Sequence, residues 1–331
     1  MPRPGDEPRI NRHDTIDLRQ RTTQATTERR GVASSKLAIA ILMALAVLVL
    51  IAVSDPGWAP AKKHKHRGKR AGPGLIASDT GTDPDATHFW GKEDCANDSR
   101  VQQFTTGGDA HLTATGAPQG DSSFRRMTVF DGDDVWGERC ELGWDSRRGP
   151  TAFYRPGTRR ITEVSVRLPS NFPLGVNTWQ TVMQMKQSGP SNNSSGAPIF
   201  TLEAWGGRWR LRQAVNRTTS TDLRELWSAP AQLNFWTRFI IDMRYSVRKK
   251  AGYVRIGADL NGDGDISDPG ELSRGIHTYT LKMETPGGSP DGLRGGQGIP
   301  SHLRTGIYHD SSVPCPGGCS VDVDNVQVLR P

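Results

Sequence analysis

The chain has 331 residues and a formal net charge of +7, with 37 glycines, 22 prolines and 34% hydrophobic residues. This Gly and Pro content is below that of a disordered low-complexity chain, and nine tryptophans can contribute to a core. After residue 70 the 28 basic and 29 acidic residues nearly cancel, so global charge gives no reason to expect a nucleic acid partner.

The N-terminus reads as a tail followed by a membrane segment. Residues 1–36 are polar and rich in Arg and Thr, which predicts a disordered cytoplasmic tail. Residues 37–53, "LAIAILMALAVLVLIAV", carry no charge and reach the minimum length of a membrane-spanning helix. We predict an uncleaved signal anchor, although "APA" at 59–61 leaves late cleavage open.

Residues 54–80 are predicted to form a basic linker. Its tract 62–70, "KKHKHRGKR", has six Lys or Arg and no acid, which by the positive-inside tendency would stay in the cytoplasm. Four cysteines in the C-terminal part instead favour an oxidising exterior. We therefore predict a single-pass protein of the cell membrane with an extracytoplasmic C-terminal domain. The tract then contacts an anionic cell surface or serves as a solvated spacer.

Residues 81–331 read as short strands separated by Gly, Pro, Asn and Asp clusters. The clearest strands are "RRITEVSVRLP", "TWQTVMQMKQ", "FWTRFIIDMRYSV", "GYVRIGADL", "SVDVDNVQVL" with a bulge near Asp324 and Asn325, and the hairpin "PIFTLEAWGGRWRLRQAV" around Gly206 and Gly207. No convincing amphipathic helix follows the membrane segment. The pattern predicts an all-β sandwich or barrel.

Three separated strands present polar side chains on one face, because side chains alternate between faces along a strand. The positions are Arg139 and Glu141 in "GERCELGW", Gln180, Gln184 and Lys186 in "TWQTVMQMKQ", and His302, Arg304 and Tyr308 in "SHLRTGIYHD". Solvent explains one such face easily. Three faces that carry Arg, Gln, Lys and Tyr indicate the lining of a groove.

The triplet "RCEL", "QMK" and "HLRTGIYHD", in this order, resembles the three signature regions of jelly-roll polysaccharide lyases. These are the alginate-lyase type, with R-S-E-L-R, Q-I-H and Y-F-K-A-G-x-Y-N-Q patterns, and the related heparin-lyase-I-like group. The resemblance covers most of residues 85–331. It implies a two-sheet, concanavalin-like jelly roll whose concave sheet binds an acidic polysaccharide and cleaves a uronic-acid chain by β-elimination.

The resemblance also implies roles for individual residues. Arg139 and Gln184 would hold the uronate carboxylate and stabilise the enolate-like intermediate, while Glu141 would orient Arg139. Tyr308 would give a proton to the leaving O4, and in some family members this residue also removes the C5 proton. Arg304, where the family carries Lys, would contact the carboxylate or a neighbouring sugar.

Two departures from the family pattern bear on catalysis. Lys186 stands where the family has a histidine, and Gly143 replaces the second Arg of the first motif. A lysine acts as a base only when its pKa is depressed. His309 lies on the opposite strand face from Tyr308, and His302 is about 20 Å from Tyr308 along the strand. Either Tyr308 is both base and acid, or the domain binds glycan without cutting it.

Hydrolysis by a glucanase of the same fold is disfavoured by the sequence. That reaction needs two Glu in an E-x-D-x-x-E strand pattern, so that carboxylates flank the glycosidic bond. The chain contains no such pattern.

The segment 259–271, "DLNGDGDISDPGE", resembles an EF-hand-type calcium loop. Its candidate ligands are Asp259, Asn261, Asp263, Asp265 and Glu271. Glu271 lies one position beyond the final Glu of an EF-hand loop, and no helices flank the segment. A turn rich in Asn-Gly and Asp-Gly is therefore the alternative. Any Ca²⁺ would be structural, and no organic cofactor is expected.

The four cysteines favour disulfide bonds over a zinc site, because the C-x-x-C spacing typical of zinc ligands is absent. "CPGGC" permits a local bridge between Cys315 and Cys319, which would leave Cys95 for Cys140. Other pairings stay open.

A basic stripe occupies one face of "GRWRLR", where Arg208, Arg210 and Arg212 alternate with apolar residues. We consider Arg210 a candidate contact for substrate carboxylates. An exposed strand face is the alternative.

Overall fold

The computed structural model describes residues 74–79, 92–105, 123–143, 154–187, 197–218, 221–288 and 292–331. All of them belong to one unit, Lys69–Pro331. The predicted tail 1–36, the predicted membrane segment 37–53 and the basic tract 62–70 lie outside these described residues. Within the ranges given above, no helix combines the length and the apolar character needed to cross a bilayer.

The regular secondary structure of the described residues consists of β-strands and one 3₁₀ turn at Asp98–Arg100. The strands are β1 (Gly74–Asp79), β2 (Lys92–Asp94), β3 (Val101–Thr105), β4 (Ser123–Val129), β5 (Arg139–Gly143), β6 (Arg159–Arg167), β7 (Gln180–Gln187), β8 (Phe200–Trp205), β9 (Arg208–Ala214), β10 (Leu223–Pro230), β11 (Trp236–Arg244), β12 (Tyr253–Asp259), β13 (Ser301–His309) and β14 (Cys319–Arg330).

Two antiparallel sheets contain these strands. The first sheet has the order β12-β11-β6-β14-β4-β3, and β1 also pairs with β14. The second sheet has the order β10-β9-β8-β7-β13-β5-β2. The predicted all-β sandwich of two sheets is confirmed. Because β1 lies inside 54–80, the sandwich begins earlier than the predicted linker boundary.

The core lies between the two sheets and is filled by alternate residues of their strands. Phe239, Ile241 and Met243 of β11 point into it from the first sheet, and Leu202 and Ala204 of β8 from the second. Because the intervening residues point the other way, each sheet keeps one face for polar side chains. The polar face of the second sheet carries the candidate site.

Two local predictions are confirmed by backbone geometry. Gly206 and Gly207 form the turn between β8 and β9 with φ values of 58° and 74°, which glycine adopts without steric cost. In β14 the pairing register shifts between Asp324 and Gln327, and Asn325 has φ 48°. This is the expected bulge, and Asn tolerates the left-handed conformation better than most residues.

Both predicted disulfides are present. Cys95 bonds to Cys140, and Cys315 bonds to Cys319. The first bond joins the residue after the edge strand β2 to the second residue of β5. The second closes the turn that precedes β14.

Candidate active site

Strands β5, β13 and β7 are neighbours in the second sheet, and their register brings the polar residues together. Tyr308 lies opposite Arg139 of β5 and Thr181 of β7. Arg304 lies opposite Gln184 of β7. Residues directly opposite each other project from the same face. The polar face therefore carries Arg139, Gln184, Arg304 and Tyr308 within three adjacent strands.

Glu141 lies at the centre of this group and is only 1% exposed. Gln184 donates from Nε2 to Glu141 Oε1 at 2.5 Å. The guanidinium nitrogens Nη1 of Arg139 and Arg304 lie 3.5 and 3.7 Å from Glu141 Oε2. One buried carboxylate thus fixes three donors, which is how a buried charge is normally compensated.

Gly306 makes this arrangement possible. It lies opposite Glu141, between the rows of Arg304 and Tyr308, and has φ +144°. A Cβ at Gly306 would lie 2.2 Å from the Cys140 carbonyl oxygen and 2.8 Å from the Glu141 Cα. Only glycine fits so close to β5.

Tyr308 is held in place on three sides. The Arg139 guanidinium stacks on the Tyr308 ring with Cζ 3.7 Å from the centroid, a favourable cation–π geometry. Trp179 meets the ring edge-on with centroids 4.8 Å apart. A Cβ at Gly137 would be only 2.9 Å from Tyr308 Cε2, so this loop glycine packs against the ring. The phenol keeps a partly exposed position.

Arg304 is anchored by a residue that sequence analysis missed. Its Nη1 forms an ion pair and hydrogen bond with Asp94, which is 5% exposed on β2. Its Nε donates to His302 Nε2 at 3.0 Å. Asp94 is 210 positions away in sequence, so no local pattern could connect the two residues.

Lys186 lies toward the end of β7 that is remote from Tyr308. It pairs with His302, six residues before Tyr308, which is about 20 Å along a strand. Burial, together with the positive charges of Arg304, Arg139 and Lys282, lowers the pKa of Lys186 to about 8, and the negative charge of Glu141 opposes this shift. Its ammonium therefore belongs to the same electrostatic cluster as the two arginines.

The prediction for Gln180 is wrong. Its Nε2 donates to the Pro173 carbonyl at 2.9 Å, and the residue lies opposite His309 instead of Tyr308. The pairing of β7 with β8 shifts register between Thr181 and Met183. Because a one-residue shift exchanges the two faces, Thr181 takes the position that simple alternation gives to Gln180.

His309 faces away from the site, as strand alternation predicts. Its ring is 1% exposed, with Nδ1 2.9 Å from the Asp310 carbonyl oxygen and Nε2 3.4 Å from Cys315 Sγ. Glu138 Oε2 lies 3.6 Å from the same Nδ1. The histidine thus supports the strand end from behind.

Arg210 shares the polar face but lies away from Tyr308. A row of directly opposed residues runs from Tyr308 through Thr181 and Glu203 to Arg210. Three strand spacings separate its ends, about 14 Å. The Arg210 guanidinium is ion-paired with Glu225 and lies 3.9 Å over the Trp205 ring centroid. The stripe thus extends the groove, with part of its charge neutralised.

The loop 131–138 joins β4 to β5 beside Tyr308. Arg139 donates from Nη2 to the Trp136 carbonyl oxygen, and the Gly137 N–H donates to Asp134 Oδ1 at 2.7 Å. Trp136 has φ 62°, and its side chain is 83% exposed. The residue that positions Tyr308 therefore also holds this loop.

The calcium candidates form a hydrogen-bonded loop after β12. Asp259 accepts the N–H groups of Gly262 and Gly264 at 2.6 and 2.9 Å. Glu271 accepts those of Leu260 and Asp268 at 2.8 and 3.2 Å. No group of three or more His, Cys, Asp or Glu in the described part of the chain is arranged to hold a metal ion. Calcium stays a prediction, because this arrangement fits the alternative of a closed turn.

Comparison with known proteins bears on the family and the fold of the chain. The family model described as "Polysaccharide lyase" matches residues 85–314. No curated protein matches the chain in sequence. The endo-β-1,4-glucuronan lyase of the fungus Trichoderma reesei is 13% identical with a TM-score of 0.54, covering 78% of this chain and 96% of its own. The PL-14 alginate lyase of Aplysia kurodai is 13% identical with a TM-score of 0.49, covering 78% and 99%.

The family match covers well over half of the chain, and the likeness to the glucuronan lyase shows the same fold. Together they confirm the resemblance that the three short motifs indicated, including the jelly-roll form of the sandwich. The chain therefore belongs to the polysaccharide lyase family.

Proposed function

We propose that this protein cleaves a uronic-acid polysaccharide by β-elimination. The observation that carries the proposal is the cluster of Arg139, Gln184, Arg304 and Tyr308 around Gly306, with Glu141 beneath it. Similar proteins act on glucuronan and alginate, as their names state, and these two polymers are the first substrates to test.

The charges of the cluster suit a uronate carboxylate. Arg139 and Arg304 are balanced by Glu141 and Asp94, and Lys186 adds a positive charge when protonated. The C5 proton of a uronate is very weakly acidic until the adjacent carboxylate is neutralised. Arg139 and Gln184 would supply that neutralisation and stabilise the enolate-like intermediate in a largely buried site.

Tyr308 would perform both proton transfers. Its phenolate oxygen takes the C5 proton, the C4–O4 bond then breaks as the C4–C5 double bond forms, and the phenol returns the proton to O4. This requires the C5 proton and O4 to lie on the same side of the sugar. The direct contact of Tyr308 with Arg139 supports this assignment, whereas the backbone of Lys186 pairs with His302 at the other end of β13.

A second candidate function is glycan binding without cleavage. The specific observation that favours it is Lys186 at the position where the family carries histidine. In that case the same positive cluster would hold the polymer, and Tyr308 would contribute only contacts.

We also propose that the domain faces the exterior of the cell on a membrane anchor. The uncharged segment 37–53 supports the anchor, and two disulfides support an oxidising compartment. A polysaccharide substrate outside the cell agrees with this placement.

The test is incubation of the purified protein with glucuronan, alginate and a glycosaminoglycan. The ultraviolet absorbance of the unsaturated product reports elimination, and affinity electrophoresis in the same polymers reports binding. Elimination in any polymer supports the lyase. Retardation without product would establish the binding function. The absence of both elimination and retardation would reject both candidate functions.

A further inference from the structure

Trp136 is the most exposed large hydrophobic side chain among the described residues, at 83%. The others are Leu75 at 61%, Val215 at 50% and Leu233 at 39%. Tryptophan carries the largest apolar surface of any side chain and is highly buried on average. An indole that is largely exposed to water beside the candidate site therefore requires an explanation.

The backbone at Trp136 is held, not loose. A φ of 62° is an outlier for a bulky residue and costs free energy, so surrounding contacts must maintain it. Those contacts are the Arg139 hydrogen bond to the Trp136 carbonyl, the Gly137 N–H bond to Asp134, and the Val135 N–H bond to the Gly137 carbonyl at 3.1 Å. These hydrogen bonds fix the loop backbone in the conformation in which the ring lies in solvent.

The position of the ring relates it to the proposed reaction. Gly137, the next residue, packs directly on the Tyr308 ring, and Arg139 binds both Tyr308 and the Trp136 carbonyl. Trp136 therefore lies at the Tyr308 end of the site, while Arg304 and His302 lie toward the other end of β13. A polymer that is held at Arg139 and extends past the loop before β5 would place a neighbouring sugar near Trp136.

We propose that Trp136 is an aromatic platform on which the sugar next to the reacting uronate packs its ring face. The inference rests on the proposed function and adds a binding position to the same site. The charged cluster recognises carboxylates but offers nothing to the apolar C–H face of a pyranose ring. An exposed indole buries that face without dehydrating a charge, and its rigid two-torsion side chain loses little entropy on binding.

The experiment compares Trp136→Asn with Trp136→Phe. Asn tolerates the left-handed backbone and removes the ring, whereas Phe keeps an aromatic face. Leu75→Ala on β1 is the matched control, because it removes another exposed apolar side chain in the other sheet. KM and kcat are measured on long glucuronan and alginate chains and on their shortest cleaved oligosaccharides, with melting temperatures to confirm folding.

We expect Trp136→Asn to raise KM on long chains roughly tenfold while kcat stays within about twofold of wild type. Trp136→Phe should raise KM much less, because it keeps an aromatic face. The loss should shrink on the shortest oligosaccharides, which cannot occupy both positions. Three results would contradict the platform without contradicting the lyase activity: an unchanged KM in Trp136→Asn, an equal increase of KM in Trp136→Phe, or a fall in kcat with KM unchanged. A wild-type protein that binds these polymers without cutting them would be compared by Kd instead. Wild-type protein that neither cleaves nor binds them would reject the proposed function itself.

Discussion

Gly306 sets the distance between β13 and β5 at the centre of the site. We predict that Gly306→Ala destabilises the fold by at least about 2 kcal/mol, because the new Cβ would meet the Cys140 carbonyl at 2.2 Å in a backbone conformation with φ +144°. Denaturant unfolding measures the change. Gly175→Ala, with nothing within 4 Å of the added carbon, should change stability by less than about 0.5 kcal/mol. Equal effects of the two variants would contradict the proposed close approach.

Tyr308 is the residue on which the proposed chemistry depends. We predict that Tyr308→Phe lowers kcat by about a hundredfold or more while glycan affinity stays nearly intact, because the phenol oxygen moves protons only on the reaction path. The Phe ring keeps the packing on Arg139 and Trp179. Arg139→Ala should damage both kcat and affinity, since the guanidinium holds the carboxylate in the ground state and the transition state alike. Full activity of Tyr308→Phe would exclude the mechanism.

Lys186 provides a pH test of its role. Its pKa of about 8 means that it is protonated below pH 8 and neutral above it. If Lys186 attracts the polymer, wild-type KM should rise as pH increases through 8, and Lys186→Met should have a higher KM at pH 7 that changes little with pH. Turnover should persist in the variant. A wild-type kcat that increases with pH through 8 and vanishes in Lys186→Met would instead identify Lys186 as the base.

The same lowered pKa has a consequence for stability. Between the folded pKa of about 8 and the ordinary value of 10.5, the unfolded chain binds more protons at Lys186 than the folded chain does. The contribution of this residue to the free energy of unfolding therefore increases with pH across that window. We predict that Lys186→Met raises the melting temperature at pH 7, because it removes a buried cation beside Arg304 and Arg139. A lower melting temperature would show that packing of the lysine stem outweighs its charge.

At the scale of the element, strand alternation predicted most of the polar face from sequence. It placed Arg139 with Glu141, and Arg304 with Tyr308, on the face where the structure has them. It failed at Gln180, because the register shift between Thr181 and Met183 depends on how β7 pairs with β8. No residue type marks that shift, in contrast to Asn325 in β14. Alternation in the sequence therefore predicts the sheet face of a side chain only up to the next irregularity in strand pairing.

The loop after β12 gives a prediction about calcium. We predict that added Ca²⁺ raises the melting temperature and that a chelator reverses this, because Asp263, Asp265 and Asp268 are exposed carboxylates in one short loop and repel one another without a cation. Asp263→Asn should reduce the calcium effect. A melting temperature that Ca²⁺ leaves unchanged would show that the hydrogen bonds to Asp259 and Glu271 alone close the loop.

At the scale of the whole molecule, what sequence could not supply is long-range pairing. Asp94 and Arg304 meet only because β2 is the neighbour of β5 and β5 the neighbour of β13. Likewise, nothing in the sequence distinguishes Trp136 from the other eight tryptophans. Its relation to the site follows from the packing of the neighbouring Gly137 on Tyr308. The motifs identified the fold because each is local to one strand. The anchoring residues around them come from other strands and carry no signature.

The near-neutral domain and the apolar N-terminal segment give a prediction about location. We predict that the full chain sediments with membranes and resists extraction by alkaline carbonate, whereas a chain lacking residues 37–53 stays in the supernatant with unchanged kcat and KM. Immunoblotting of the fractions and activity assays check both parts. Recovery of the full chain in the soluble fraction, shortened at its N-terminus, would show that the segment is a cleaved signal.

The disulfide bond between Cys95 and Cys140 connects the redox state of the chain to the order of the candidate site. Cys95 follows Asp94 and Cys140 precedes Glu141, so both carboxylates that hold Arg304 are covalent neighbours of one cystine. With the thiols reduced, Asp94 would lose the covalent link of its neighbour to β5 and keep the three-residue pairing of β2 with β5. We therefore expect reduction of this cystine to weaken the ion pairs that hold the Arg304 guanidinium, and reoxidation to restore them, so that the order of the site follows the redox state of the chain.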